Sequence, residues 1–211
     1  MADGLNVFAD TSRECADLAA RDKALARAVA AIGRPHIRRR EGGFEGLFRI
    51  IVEQQVSVPS AQAIWARCRG GMDVASPAAA LRCGEVGLKR FGLSGPKARY
   101  VVHLADAIET GALDLAALSH NDADASQALQ SVKGVGPWTA AIYLLFCEGR
   151  VDIWPPNDVA LLGAYSEARR FGPKPAMKDL DRRAQKWAPF RGLAAHILWT
   201  YYAYLRGREP I

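Results

Sequence analysis

The feature that most constrains this chain is a pair of glycines within residues 129–158, which read LQSVKGVGPWTAAIYLLFCEGRVDIWPPND. Gly134 and Gly136 flank Val135, so the positions on both sides of this valine lack a side chain. Glycine adopts positive φ at little cost, and its bare backbone lets another molecule approach closely. The pair therefore predicts a tight turn with an accessible main chain.

Two helices are predicted on either side of this turn. Before it, Ala125, Leu129 and Val132 recur at helical spacing, which predicts a short helix with one apolar stripe. After it, Pro137 suits the first position of a helix, where no N–H donor is needed. Residues 138–147 are almost wholly apolar, which indicates a buried helix that is too short to cross a membrane. The sequence therefore predicts a helix, a glycine hairpin and a buried helix.

The main chain of such a hairpin suits a phosphate group. The N–H groups at the start of the second helix, together with those of the turn, point at one site. Phosphate binding of this kind needs no basic side chain and carries no base-sequence information. A Gly-x-Gly turn between helices is also common as a plain corner, so the turn alone leaves both interpretations open.

The composition favours an all-helical protein. Of its 211 residues, 50% are hydrophobic, alanine and leucine are frequent, and β-branched runs are few. The formal net charge of +6 permits a polyanionic partner, although many enzymes without one are equally basic. The amino terminus carries no long apolar run, so we expect no signal peptide and a cytoplasmic location.

The cysteines and histidines follow no disulfide or metal-ligand pattern. The four cysteines are Cys15, Cys68, Cys83 and Cys147, which are widely separated and include no C-x-x-C pair. The four histidines lack ligand spacing as well. We therefore expect no disulfide framework, no zinc and a reducing, intracellular setting.

Apolar periodicity and turn residues predict further helices along the rest of the chain. They cover residues 12–32, 44–56, 60–69, 76–83, 85–90, 94–110, 113–120, 159–170, 177–186 and 191–206. Residues 1–11 are predicted to be loosely ordered. Four arginines within residues 34–40 fall in a predicted loop, for which a solvated basic loop and a phosphate contact both remain open.

Several motifs occur in order along residues 35–205. They are GFE at 43–45, EQQVS at 53–57, FGLS at 91–94 with KA at 97–98, VKGVGPWTA at 132–140, PPND at 155–158, and WAPFR at 187–191 followed by Trp199. A linked set of motifs is far more specific than any one of them. In these motifs the chain resembles the helix-hairpin-helix DNA glycosylase superfamily, and within it the bacterial 3-methyladenine DNA glycosylase II group.

The resemblance implies a fold and a partner. The expected fold is all-α, a two-lobed helix-hairpin-helix glycosylase fold with a cleft between lobes and without the N-terminal β-rich domain of larger relatives. Within one compact unit, 1–211, the first helical lobe is expected at 42–115, the hairpin and catalytic segment at 116–170, and the second lobe at 1–41 with 171–211. The implied partner is double-stranded DNA with a damaged base, bound by a monomer.

Asp158 occupies the position of the family's essential aspartate. Hydrolysis of a C1′–N bond passes through an oxocarbenium-like sugar cation, which a neighbouring carboxylate stabilises. The same carboxylate can steer or deprotonate the attacking water. The run PPND before an apolar helix is also an N-cap sequence. The two roles are compatible, because a capping carboxylate is held rigidly.

Trp138 stands where strand-cleaving relatives carry a lysine that forms a Schiff base with the sugar. Since tryptophan cannot do this and Lys133 lies elsewhere, we expect a monofunctional enzyme without AP-lyase activity. Trp138 and Trp199 correspond to indoles of the base pocket, where a cationic, alkylated base is attracted to an aromatic face. Plain core packing is the alternative for both. Ile142 and Val159 replace two pocket tyrosines of the best-known relatives, which makes the expected cavity more aliphatic.

The resemblance also assigns residues that contact DNA. Gln55 is the candidate wedge that fills the gap left by the flipped base, although Gln54 and Gln55 could instead cap a helix end. The candidate phosphate-binding residues are Lys97, Lys133, Gly134, Val135, Gly136 and Thr139. For Lys97 the alternative is an ordinary exposed lysine at a helix start.

Two further expectations concern cofactors and rival functions. The hairpin carbonyls of relatives bind a monovalent cation, Na⁺ or K⁺, which implies the carbonyls of Gln130, Val132 and Val135 here. No cofactor is required, and no iron–sulfur cluster is expected because no cysteine follows Cys147. The rivals are a glycosylase for oxidised or mismatched bases and a non-catalytic helix-hairpin-helix DNA-binding module. The retained Asp158 disfavours the second, since pure binding gains nothing from a carboxylate near phosphates.

Overall fold

The computed structural model describes residues 10–210, which form eleven α-helices, one short 3-10 helix and no β-strand. The α-helices are α1 (Ser12–Arg21), α2 (Lys23–Ile32), α3 (Gly43–Glu53), α4 (Val58–Gly71), α5 (Pro77–Arg90), α6 (Gly95–Glu109), α7 (Asp122–Gln130), α8 (Pro137–Phe146), α9 (Val159–Arg169), α10 (Met177–Ala184) and α11 (Arg191–Tyr204), and the 3-10 helix is Gln185–Trp187. The all-α prediction is confirmed. Across the described part of the chain, no helix combines the length and hydropathy needed to span a bilayer. Residues 1–9 of the segment predicted to be loosely ordered lie outside the described residues.

The chain divides into two compact units. The continuous unit is residues 40–147, and the terminal unit combines the described residues 10–39 and 148–210. The predicted middle segment, 116–170, is not a segment of its own but is divided after position 147. The reason is packing, since α8 packs against α3 and α7, whereas α9 packs against α2 and α11.

α3 forms the core of the continuous unit. Its residues Leu47, Phe48, Ile50 and Ile51 are fully buried, as their helical spacing predicts. Phe48 packs edge-to-face against Trp65 of α4, with ring centroids 5.2 Å apart. Burial of each such side chain stabilises the fold by roughly 1.5–3 kcal/mol. α3 therefore holds its C-terminal end, and the connection to α4, in a fixed position.

Some helix boundaries predicted in this unit are wrong. α3 ends at Glu53 rather than at residue 56, so both glutamines lie in the connection to α4. Residues 113–120 form no helix, because the Asp114 side chain accepts the N–H groups two and three residues ahead and closes a separate turn. The helices predicted on either side of Gly84 are one element, α5, interrupted by the Gly84 φ of 62°.

In the terminal unit, the helix predicted over residues 12–32 is broken at Asp22, whose φ of −144° is extended. Asp22 Oδ1 accepts the Ala24 N–H at 2.8 Å, which caps α2. Asp22 Oδ2 accepts from Arg183 Nε at 2.8 Å, Tyr165 Oη at 3.2 Å and Trp187 Nε1 at 3.3 Å. Because Asp22 is only 3% exposed, its charge depends on these donors. The break places a carboxylate where three distant side chains meet.

In the arginine-rich segment between α2 and α3, Arg34 is exposed, whereas Arg38 and Arg40 pack against other residues of their units. In the terminal unit, the Arg38 guanidinium lies 5.3 Å from the centroid of the Trp199 ring, and the His36 N–H donates to a threonine of α11 at 2.9 Å. In the continuous unit, Arg40 forms a 2.6 Å salt bridge with Glu53, the last residue of α3. The segment therefore makes contacts within the terminal unit near Arg38 and within the continuous unit at Arg40.

Candidate functional site

The glycine hairpin lies between α7 and α8 in the continuous unit. Its turn is closed by the Val135 N–H, which donates to the Val132 carbonyl at 3.0 Å. Gly134 has a φ of 99°, and a Cβ added there would clash with the ring of Tyr100 on α6. Glycine is therefore required at 134 both by backbone conformation and by close packing.

Gly136 lacks a side chain for a different reason. Its φ is −87°, which any residue adopts, so the expectation of positive φ holds for Gly134 alone. A Cβ added at Gly136 would meet nothing within 4 Å, and no side chain caps α8 at this residue. The first N–H groups of a helix have no partner within the helix. The bare, exposed backbone at Gly136 thus leaves room for an anion at the N-terminus of α8.

Gln54 ties this hairpin to the end of α3. Its Nε2 donates to the Gly134 carbonyl at 3.1 Å and to Thr139 Oγ1 at 2.9 Å. Thr139 is 3% exposed and its hydroxyl binds Gln54 inside the unit, so a phosphate contact of Thr139 stays a prediction for its backbone N–H alone. Gln54 is the C-cap residue of α3 through its N–H, which donates to the Ile51 carbonyl, but its side chain does not cap that helix because the amide reaches a turn eighty residues away. The sequence offers no local signal for this contact.

Gln55 has the opposite orientation and is exposed. Its φ of 52° lies in the left-handed region, which is uncommon for a residue other than glycine and costs about 1 kcal/mol or more. Strained residues of this kind cluster at functional sites. Its side chain also makes no hydrogen bond to the described residues. Gln55 therefore remains the candidate wedge, and helix capping does not explain it.

Lys97 is not available for a phosphate, so that prediction is wrong. It is 9% exposed, and its Nζ donates to the Val52 carbonyl at 2.7 Å. Burial lowers the pKa of this ammonium group. Lys97 instead binds one of the last carbonyls of α3, just before the two glutamines. Lys133 is exposed in the hairpin turn, where a phosphate contact remains a prediction.

Asp158 caps α9 in the terminal unit, which confirms the N-cap interpretation. Its Oδ1 accepts the N–H groups of Ala160 at 2.9 Å and Leu161 at 3.0 Å. Asn157 before it has a φ of 59°, a left-handed conformation that asparagine tolerates. The two hydrogen bonds fix the carboxylate at the start of a helix while leaving Asp158 partly exposed.

The predicted base-pocket residues lie on three helices. Trp138 and Ile142 are four residues apart on α8 and share one face, with Trp138 partly exposed and Ile142 buried. Val159, on the first turn of α9 beside Asp158, is 76% exposed. Trp199 on α11 is 6% exposed. For all four the role of a pocket residue stays a prediction, and of the four only Trp138 and Val159 offer substantial surface.

Trp199 is packed against charged and polar neighbours within the terminal unit. Arg38 lies over its ring, and His196 meets it edge-to-face with ring centroids 5.8 Å apart. Burial first, and then the charges of Arg38, His36 and Arg39, lower the pKa of His196 to about 3. His196 is therefore neutral near pH 7, and its Nδ1 accepts the Arg38 N–H at 3.4 Å.

Metal-ligating side chains do not gather within residues 10–210. No group of three or more His, Cys, Asp or Glu side chains there could hold a metal ion, and none of the four cysteines forms a disulfide. At the hairpin, the Val132 carbonyl accepts the Val135 N–H and keeps its second lone pair. Backbone carbonyls of this kind suit a hard cation.

Comparisons with known proteins agree with this arrangement. Residues 48–190 match the model of a family described as HhH-GPD superfamily base excision DNA repair protein. DNA-3-methyladenine glycosylase 2 of Escherichia coli is 32% identical over 124 residues, which are 58% of this chain and 39% of that protein. The structure of the Schizosaccharomyces pombe 3-methyladenine DNA glycosylase Mag1 with abasic DNA has a TM-score of 0.80 at 22% identity and covers 90% of this chain and 96% of that one. The structure of a DNA-3-methyladenine glycosidase from Bacillus halodurans has a TM-score of 0.77 at 28% identity. The match covers 94% of this chain and 93% of that one.

The match to the family includes the residues described above. Positions 48–190 contain the two glutamines, the hairpin and Asp158, and they make up most of the chain. The chain spans well under half of the length of the Escherichia coli relative, whereas it spans almost all of the two solved structures. The resemblance in the sequence motifs is confirmed: the chain belongs to the HhH-GPD superfamily of base excision DNA repair proteins.

Proposed function

We propose that this protein is a monofunctional DNA glycosylase that releases alkylated bases of the 3-methyladenine type from double-stranded DNA and leaves an abasic site. The observation that carries the proposal is Asp158, whose carboxylate is fixed by two N–H groups at the start of α9 while the residue stays partly exposed. Two relatives named for 3-methyladenine, at 32% and 28% identity, support the substrate class.

Each step of the reaction has a candidate group. The N–H groups at Gly136 and the start of α8 bind a strand through a phosphate, without reading sequence. Gln55 enters the stack as the damaged nucleotide leaves it. Asp158 then stabilises the positive charge that develops on the sugar as the C1′–N bond breaks, and it orients the water that adds to C1′. The partly exposed indole of Trp138 attracts a base that carries positive charge after alkylation.

The absence of an amine at position 138 supports hydrolysis without strand cleavage. A Schiff base requires a lysine nucleophile next to the sugar, and Trp138 provides none. Borohydride trapping on abasic DNA tests this point. We expect no covalent adduct, and an adduct would show that another amine acts as a lyase nucleophile.

The hairpin carbonyls of Gln130, Val132 and Val135 would hold a monovalent cation in the proposed enzyme. A cation bound there would add positive charge beside the phosphate that the hairpin contacts. The cation would contact only the carbonyl oxygens of these residues, so the site does not depend on their side chains.

The decisive experiment is base release from methylated duplex DNA by the wild type, Asp158→Asn and Asp114→Asn, with duplex binding followed in parallel. Asparagine still accepts the two capping N–H groups, so Asp158→Asn removes the charge and keeps the fold. Asp114→Asn makes the same change in a similar turn of the continuous unit. We expect a loss of about 100-fold or more for Asp158→Asn with binding retained, and no change for Asp114→Asn.

The other outcomes identify the rivals. Release from oxidised or mismatched duplexes, but not from methylated ones, would assign the protein to the other substrate class. Binding without release from any of these substrates would mean that the hairpin serves a non-catalytic DNA-binding module. Equal release by the wild type and Asp158→Asn would remove Asp158 from the mechanism.

A further inference from the structure

The terminal unit contains a groove at the opposite end of α9 from Asp158. Two cavities of about 620 Å³ and about 340 Å³ adjoin there and share Arg169 and Phe171 in their walls. We call the residues lining the two cavities the basic groove. Asp158 caps the start of α9 and Arg169 ends it, so a rise of 1.5 Å per residue separates them by about 16 Å. The basic groove is therefore distinct from the proposed catalytic carboxylate.

Positive charge dominates the basic groove. Lysines and arginines outnumber aspartates and glutamates along its walls by seven to three. Arg183 and Asp22 form a pair at 2.8 Å, so the remaining residues number six cations and two acids. By contrast, Arg27 and Arg169 donate to backbone carbonyls rather than to carboxylates. The exposed Lys23, at the N-terminus of α2, has no acidic partner within the described residues. The excess of cations suits a ligand with several negative charges.

Phe171 presents an aromatic ring between these cations. It is 79% exposed although it lines both cavities. Its N–H donates to the Arg169 carbonyl at 2.8 Å across Arg170, whose φ of 63° makes a strained turn. Arg27 braces that turn, since its guanidinium donates to the carbonyls of Ala168 at 2.9 Å and Arg169 at 3.1 Å. The backbone thus holds an apolar ring in solvent at the centre of the basic groove.

We propose that the basic groove binds a short stretch of single-stranded DNA, with phosphates on Lys23 and Arg169 and one base stacked on Phe171. A cationic groove that follows the backbone, together with an exposed ring for a base, is the usual arrangement for binding single strands without sequence preference. An acidic polypeptide would use the cations but would gain little from the ring. This second DNA site does not depend on the proposed base-release activity.

The test uses the full chain and fluorescein-labelled (dT)₈, with unlabelled abasic duplex at saturation so that the hairpin is occupied. Fluorescence anisotropy is compared for the wild type, Phe171→Ser and the double variant Lys23→Gln with Arg169→Gln. The matched controls are Tyr204→Ser, another exposed ring of the terminal unit, and Arg13→Gln with Lys186→Gln, which remove two exposed charges of the same unit outside the basic groove. A second probe, a strand of eight abasic deoxyribose phosphates, lacks bases.

The proposal makes separate predictions for the ring and for the charges. Phe171→Ser should weaken (dT)₈ binding roughly tenfold, leave the salt dependence unchanged and abolish the preference for (dT)₈ over the abasic strand. The double charge variant should weaken both probes and reduce the slope of log K against log salt by about 1.4. The control variants should remain within about twofold of the wild type.

Three results would overturn the proposal. The first is unchanged (dT)₈ binding by both groove variants. The second is equal wild-type binding of (dT)₈, the abasic strand and polyglutamate, which would indicate a patch for any polyanion. The third is displacement of (dT)₈ by the abasic duplex, which would mean that the two share one site. Base release from methylated duplex by Phe171→Ser is measured alongside and should equal that of the wild type, so failure here is distinguishable from failure of the proposed activity.

Discussion

Replacement of Gln54 by leucine tests how the hairpin is held in place. The Gln54 amide is the donor to both the Gly134 carbonyl and Thr139 Oγ1, at 3.1 and 2.9 Å. Leucine has a similar volume, so Gln54→Leu removes the donor without leaving a large cavity. The variant therefore isolates the two hydrogen bonds that join the end of α3 to the turn.

The size of the effect follows from burial. Each intramolecular hydrogen bond contributes about 1 kcal/mol net, and a buried acceptor left without its donor costs about 1–3 kcal/mol. Since Thr139 is 3% exposed, water cannot replace the lost donor at its hydroxyl. We therefore expect Gln54→Leu to lower the free energy of unfolding by about 2–4 kcal/mol. Gln62→Leu, the same change at an exposed position of α4, should stay within about 0.5 kcal/mol.

Urea unfolding of Gln54→Leu, Thr139→Val and the double variant provides the measurement. If the side chains are bonded, the double variant should be less destabilised than the sum of the single variants by about 1 kcal/mol or more. Duplex binding by Gln54→Leu should weaken as well, because the turn loses the hydrogen bonds that hold it against the end of α3. A cost below about 0.5 kcal/mol, or effects that simply add, would refute the reasoning.

Three further predictions concern the backbone and the buried histidine. Gln55→Gly should raise the free energy of unfolding by up to about 1 kcal/mol through relief of the left-handed φ, whereas Gln55→Ala should not. Both variants should slow base release. Urea unfolding measures the first effect and the release assay measures the second. Gly134→Ala should lower the free energy of unfolding by more than about 2 kcal/mol, because the new Cβ clashes with Tyr100 and the φ is positive. Gly136→Ala should lower it by less than about 1 kcal/mol. A titration with duplex should show weaker binding by Gly136→Ala. The folded-state pKa of His196, about 3, lies below its ordinary value of 6.5, so the unfolded state binds more protons between these values. The free energy of unfolding should therefore fall below pH 6.5 by up to about 1.4 kcal/mol per pH unit relative to His196→Gln, and parallel urea titrations from pH 7 to 5 check this.

The sequence predicts the fold class because its strongest signals are local. Helical spacing of apolar residues identifies α3, and the apolar run after Pro137 identifies α8. Gly134 identifies the hairpin, because glycine is the residue that most readily adopts a positive φ and has no side chain. The break at Asp22 could not be predicted in this way. Its cause is a set of donors at Tyr165, Arg183 and Trp187, more than a hundred residues away. No window of local sequence contains that information.

The site residues also differ in whether their contacts are local or distant in the sequence. Asp158 is predictable because an N-cap acts on the residues that immediately follow it. The resemblance assigns Lys97 and Thr139 to phosphates, yet the partners of their side chains, Val52 and Gln54, lie on the distant α3 segment. A polar side chain at a helix start is equally consistent with an inward and an outward role. Only the position of the acceptor decides between them.

The two adjacent glutamines show why the distinction matters for function. Gln54 turns inward and binds the hairpin, and Gln55 turns outward with a strained φ of 52°. A strained residue persists only where its surroundings over-determine it. The hydrogen bonds of Gln54 on one side, and the start of α4 on the other, supply that constraint. Because the same bonds also fix the Gly134 carbonyl, the candidate wedge and the turn proposed to bind phosphate are held by one side chain. A substitution at Gln54 should therefore impair DNA binding and base flipping together, although Gln54 itself is assigned no contact with DNA.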